Sequence, residues 1–224
     1  MAQAVPQISF GPRFHPSTAP VTFWLVVASV VGWVLGVFSP AVPALLALDT
    51  QTWLERPWTL VTYPLVSVGA PLGPLLLCWV TWWVGAEVER WWGSRVQAGF
   101  LLTVTVATGL LLWGAGHLLG ATVGDATLAT PFVALLVIYA LRNPRRTVLL
   151  LVLPLPVAAL AALAAVNQWY RFGPWAGLAG LLGGVGLPVA YYYWGHHFHR
   201  LLARRPGRRA GRRRAGHLRD ADTL

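Results

Sequence analysis

Apolar residues in this chain come in long blocks without period-two alternation, separated by short segments where prolines, glycines and arginines collect. The blocks fall at roughly 21–38, 72–92, 96–116, 127–141, 147–165 and 174–194. Several are long enough to cross, as helices, a hydrocarbon layer about 30 Å thick. A chain in lipid must satisfy its backbone polar groups internally, as helices or as a closed barrel. Barrel strands alternate apolar and polar residues, and these blocks do not. The pattern predicts an all-α, polytopic membrane protein of six transmembrane helices. The expected organisation is a cytoplasmic leader over 1–20, a membrane domain over 21–195 and an Arg-rich tail over 196–224.

The connection between the first two blocks, SPAVPALLALDTQTWLERPWTLVTYPLVSVGAP, is apolar but broken by five prolines. It is too interrupted for a span and too apolar for a solvated loop. Trp53 and Trp58 suit a membrane–water boundary, so this first loop is expected to lie partly in one leaflet. Composition strengthens the membrane reading: mean hydropathy is +0.59, and only 11% of residues are charged, against about a quarter in soluble domains. The leader holds Arg13 alone, and no small-residue cleavage site follows the first block, which is therefore expected to be a retained span.

All 17 basic residues are Arg, and nine lie between Arg200 and Arg219. With both termini cytoplasmic, Arg13, Arg90, Arg95, Arg142, Arg145, Arg146 and the tail fall inside, leaving Arg56 and Arg171 outside. That asymmetry is the one expected of cytoplasmic loops. The tail, rich in Arg, Gly, Ala and Pro, is expected to lack fixed structure and to attract anionic lipid head groups, at about 1 kcal/mol per Arg near the surface. It has no aromatic residue for base stacking, which argues against nucleic acid.

Candidate chemistry is sparse. The absence of Lys excludes a Lys general base, and Cys78, the single cysteine, allows neither an internal disulfide nor a Cys metal cluster. His196 and His199 are three apart on a helical face, with His197 between, but no carboxylate or cysteine joins them, which favours an interfacial role over a metal site. Glu87 and Glu89 are two apart and point to different helix faces, so they do not form an acid–base pair. Thr127 suits an N-cap for the fourth span, and Thr127 or Thr130, near Asp125, is the hydroxyl that a nucleophilic reading would use. Almost no ionisable residue lies inside the spans, which leaves little polar path for a transporter or channel.

One stretch is more specific. Gly85, Val88, Glu89, Gly93 and Ser94, following Trp82 and Trp83, resemble the end of the second transmembrane helix in the rhomboid family of intramembrane serine proteases. Trp58, Leu60, Thr62 and Pro64 are similar to that family's first-loop pattern, with Thr59 in place of its usual Arg, and RNPRR after the fourth span resembles its Arg-Pro type turn. The resemblance covers residues 20–195 and implies six helices with a long membrane-embedded first loop.

The resemblance also implies where catalysis would reside. The family's oxyanion-holding His and Asn fall on Gly73 and Leu77, its Ser nucleophile on Ala129 or Thr130, and its His base on Gly177. The oxyanion donors, the Ser of a G-x-S-G sequence and the His base of that family are thus all replaced, although its chemistry needs an activated hydroxyl and donors for the oxyanion. Gly180 and Gly184, in a small-residue row with Ala176, keep the family's packing of span six against span four. Glu89 is expected to anchor a helix end or the first loop. The resemblance thus implies a pseudoprotease without cofactor, binding transmembrane segments of client proteins in quality control or trafficking. The alternatives are a divergent endopeptidase using Thr127 or Thr130, and a small-molecule transporter or channel.

Overall fold

The computed structural model describes residues 15–150 and 153–195. The chain is mostly helical. In order, the elements are α1 (Pro20–Phe38), α2 (Ala41–Leu46), β1 (Leu48–Asp49), α3 (Thr59–Thr62), a 3₁₀ turn (Tyr63–Leu65), α4 (Leu72–Trp92), α5 (Ser94–Leu119), β2 (Gly124–Asp125), α6 (Ala129–Arg142), β3 (Thr147–Leu150), β4 (Leu153–Pro156), α7 (Val157–Phe172), α8 (Ala176–Leu181), a π turn (Leu182–Gly186) and α9 (Leu187–Trp194). The last three run on as one helical segment, widened where glycines 183, 184 and 186 accumulate. Among the described residues two helices, α1 and α5, are by length and composition long and apolar enough to cross a membrane.

Five of the six expected blocks coincide with helices, within a few residues. The fifth does not. Residues 147–150 and 153–156 form the antiparallel β3–β4 pair, and the helix starts only at Val157, directly after Pro156. Pro154 and Pro156 explain the correction: each lacks the amide proton that a helix interior needs, whereas a helix can begin just after them. A second short ladder, β1–β2, pairs Leu48 with Asp125 and so ties the first loop to the entry of α6. The all-α expectation is thus modified by two small ladders.

Helix α6 sits at the centre. Of its residues, Ala129–Pro131 and Val133–Ala140 are all buried, so it is apolar all round because protein surrounds it on every side. Val84, Val88, Phe100, Val104, Leu135 and Ile138 form the main core between α4, α5 and α6. A second cluster joins Leu48, Leu60 and Tyr63 of the first loop to Leu112 and Ala176, and a third joins Val26 to Cys78, Trp82 and Leu128.

The quoted motif around Glu89 performs a definable mechanical task. Helix α1 opens with Ala19 as N-cap and Pro20 at N1, and Ala19 has no side chain with which to cap. Its free amides are instead bound from across the bundle: Val21 N donates to Glu89 Oε1 at 3.0 Å and Thr22 N to Glu89 Oε2 at 2.9 Å. The Thr22 hydroxyl adds a third bond to Oε2 at 2.8 Å. A buried carboxylate at a helix N-terminus satisfies orphan donors and meets the positive end of the helix dipole. One turn earlier on the same face of α4, Gly85 provides the space, since a Cβ there would lie 2.6 Å from Thr22 Cγ2.

Gly93 completes the device. It is the single residue between α4 and α5, at φ 80° and ψ 153°, a region that essentially only glycine adopts. The abrupt turn brings Gln97 back over the clasp, where its Nε2 donates to Thr22 Oγ1 at 2.6 Å and to Gly85 O at 3.1 Å. Glu87, by contrast, faces outward and pairs with Arg90.

Replacing Glu89 by Gln keeps the shape but turns an amide donor toward amide donors. Thermal unfolding of the purified protein in detergent should show E89Q destabilised by about 2–3 kcal/mol and T22V by about 1 kcal/mol. The double variant should lose less than the sum, because the two residues share one network.

Candidate functional site

The β1–β2 ladder fixes one further buried polar group. Thr50 N donates to Val123 O at 3.0 Å, and Val123 N returns a bond to Thr50 Oγ1 at 2.9 Å. With its strand pinned on both sides, Asp125 projects inward and is 3% exposed. Its Oδ2 accepts the Thr130 hydroxyl at 3.1 Å, and its Oδ1 accepts Arg171 Nη2 at 2.5 Å. Gln168 closes the circuit: Nε2 donates to Thr130 Oγ1 at 2.8 Å, and Oε1 accepts Arg171 Nη1 at 3.2 Å. Four side chains from the β2 loop, α6 and α7 form one closed ring of hydrogen bonds.

Every member of the ring is satisfied by another, the condition under which a polar cluster inside a protein is tolerated. Arg171 belongs to the last turn of α7, where a cation meets the negative end of the helix dipole. Burial pushes the Asp125 carboxyl above its usual pKa, and the Arg171 guanidinium opposes that rise. Tyr63 is the neighbouring wall. Its hydroxyl donates to Thr105 O at 3.3 Å, and burial, reinforced by the Asp125 charge, holds the phenol protonated far beyond its usual range.

The ring occupies the place where the nucleophile was expected. Thr130 is fully buried, its hydroxyl donating to Asp125 and accepting from Gln168. A carboxylate bound to a guanidinium is a poor base for that hydroxyl, and in this arrangement the hydroxyl has no exposed surface. Ala129, also buried, has no functional group. Thr127 lies one residue before Leu128, the N-cap of α6, and accepts Ala129 N at 3.2 Å, so its capping role is displaced by one position from that expected.

The remaining expected positions do not converge on Thr130. A Cβ on Gly73 would find nothing within 4 Å, and the residue is exposed. Leu77 packs with the cluster around Val26, Cys78 and Leu128. At Gly177 a Cβ would lie 2.3 Å from both Trp169 Cδ1 and Trp169 O, so α7 fills the space that a base would need. A Cβ on Gly184 would lie an ordinary 3.6 Å from Val133 of α6, whereas one on Gly180 would lie 2.7 Å from Phe172; the small-residue row packs on α7 as well as on α6. The closest approach on that segment is at Gly183, against Thr108 of α5.

Trp58 is half exposed, and its indole donates to Leu45 O at 3.0 Å, joining α2 to α3 within the first loop. His117 stacks on Trp113, which in turn meets Trp53 edge-on. Among the described residues no group of three His, Cys, Asp or Glu could hold a metal. His196, His197 and His199, and the Arg tail, lie outside the described residues. Comparison of the sequence with protein-family models gives no match, and comparison with curated proteins gives none of significance.

Sequence reasoning missed the ring's partners. Gln168 and Arg171 lie three apart, one helical turn, and Asp125 precedes Thr130 by five residues, but nothing local connects the two segments. The available signal was that Asp125 and Arg171 fall in segments that the six-span pattern puts at the same end of the bundle.

Breaking the ion pair from one side strands a buried charge. R171A should destabilise the fold by about 3–5 kcal/mol, and D125A/R171A should be less unstable than the two single losses added together. Thermal unfolding of the four species measures the coupling. The folded state holds the Asp125 proton to a higher pH than the unfolded state does. Between those two pKa values the folded state therefore binds more protons, and stability falls as pH rises from about 4. D125N should show a shallower fall than the wild type over the same window, read from unfolding at stepped pH.

Proposed function

We propose that this chain is a six-span, rhomboid-like integral membrane protein without peptidase chemistry, which holds transmembrane segments of client proteins. The observation that carries the reading is the filled site: a hydrogen-bonded ring engages Thr130 where a nucleophile would stand, and Trp169 fills the space beside Gly177 where a base would stand. The Glu89 clasp supports the scaffold part of the reading, because it gives the motif Gly85, Glu89, Gly93 and Ser94 a structural purpose that requires no catalysis.

Six crossings fit the element lengths. Helix α4 has 21 residues, or about 31 Å at 1.5 Å per residue, and the segment 176–194 is nearly as long. Helix α6, with 14 residues, is too short to face lipid alone, and its central burial removes that requirement. The faces that a bilayer would cover carry Trp24, Val31, Leu35, Leu75, Leu76 and Trp79, all exposed. The arginine distribution supports a topology with both termini in the cytoplasm and the tail near anionic head groups. A role in quality control or trafficking follows from a fold that admits a client helix sideways and leaves it uncut.

Two measurements test the reading. A fluorophosphonate probe should leave the reconstituted protein unlabelled; labelling that disappears in T130V or T127V would establish a divergent peptidase instead. Photo-crosslinking from Trp79 and Leu163 in native membranes should enrich particular membrane-spanning proteins. Recovery of lipid and abundant neighbours alone would remove client holding from the account.

A further inference from the structure

The end of the bundle where α4 and α6 finish carries a built cationic surface. Arg142 rests over the Trp91 ring, 4.5 Å from its centroid, and Arg146 lies 5.8 Å from the centroid of Tyr139. The two rings stack on each other, 5.6 Å apart and 4° from parallel. Two guanidiniums are therefore held on one aromatic pair, which fixes them without consuming their hydrogen-bond donors. The backbone beneath is equally ordered: Asn143 N donates to Tyr139 O, Arg146 N to Asn143 O, and Val157 N to Arg146 O at 2.9 Å, where the β3–β4 pair begins.

Glu87 is the acid near this surface, close enough to act on Tyr139, and it pairs with Arg90. Among the described residues the ion pairs are Glu87–Arg90 and Asp125–Arg171, so Arg95, Arg142, Arg145 and Arg146 have no carboxylate partner. All four are exposed. Trp91 and Trp92 at the same end are the residue type that settles at head-group depth. A planar guanidinium binds a phosphodiester through two parallel hydrogen bonds, and basic clusters at the ends of membrane helices attract anionic head groups.

We infer that Arg142 and Arg146, braced on Trp91 and Tyr139 and with Arg145 next to Arg146 in the chain, form a binding site for the phosphate of an anionic membrane lipid. This site is made of residues of the folded bundle and includes none from the Arg-rich tail. It rests on the membrane reading above.

The full-length protein in zwitterionic detergent supplies the test. Thermal unfolding is followed while short-chain phosphatidylglycerol, phosphatidylcholine or inorganic phosphate is added. Phosphatidylglycerol should raise Tm in the wild type and equally in the tail control R204Q/R205Q, and R142Q/R146Q should lose at least about half of that rise. An undiminished rise in R142Q/R146Q overturns the site, and so does an equal rise with inorganic phosphate. Should R142Q/R146Q fail to fold, R142K/R146K decides. A smaller rise at unchanged basal Tm supports the guanidinium site, and a full rise overturns it. Alkaline carbonate extraction separates the two levels. Release into the soluble fraction would sink the membrane reading itself, whereas retention with an unaltered lipid response would sink only this site.

Discussion

The structure depends on a carboxylate placed at the start of a helix that cannot cap itself. Helix α1 begins Ala-Pro, with no Ser, Thr, Asp or Asn to receive its first amides, and Ala19 is fully buried. Orphan donors in such surroundings carry a large desolvation penalty. Glu89 removes it from 67 and 68 residues away, and thereby fixes where α1 sits on α4. Everything nearby serves this contact. Gly85 lets the helices approach, Gly93 allows the immediate turn, and Gln97 returns to hold Thr22 from α5.

The second polar assembly does for the far side of the bundle what Glu89 does for α1. Asp125, Thr130, Gln168 and Arg171 connect the first loop, through the β1–β2 ladder, to α6 and α7. Neither assembly leaves a reactive group free. The hydroxyl, the carboxylate and the guanidinium are hydrogen-bonded within the ring, so any chemistry there would compete with structure for the same atoms. What stays open is the outer surface: apolar on α1 and α4, and basic where α4 and α6 end.

Helix positions were legible because the blocks are long and strongly apolar, and tertiary context had little to override. The failure at 147–165 has a specific cause. Hydrophobicity alone runs unbroken through TVLLLVLPLP, and Pro154 and Pro156 were the local signal that this run is not helix interior. At the candidate site, Glu89 as an anchor was readable from its motif, but its partner was not, since Ala-Pro gives no hint of a remote cap. The ring was illegible for the same reason. Asp125 and Arg171 are 46 residues apart, and only folding brings them together. Gly177 was noticed for lacking a base, whereas Trp169, which fills its place, required the three-dimensional arrangement.

The proposed client holding and the proposed head-group site both require six crossings of a bilayer. Cysteine accessibility in sealed membranes measures this directly, with Cys78→Ala as background and single cysteines introduced as Ala70→Cys, Thr122→Cys, Trp175→Cys, Arg95→Cys and Arg145→Cys. A membrane-impermeant maleimide should label the first three from one side only and the last two from the other side only. Labelling of all five from the same side would contradict the account.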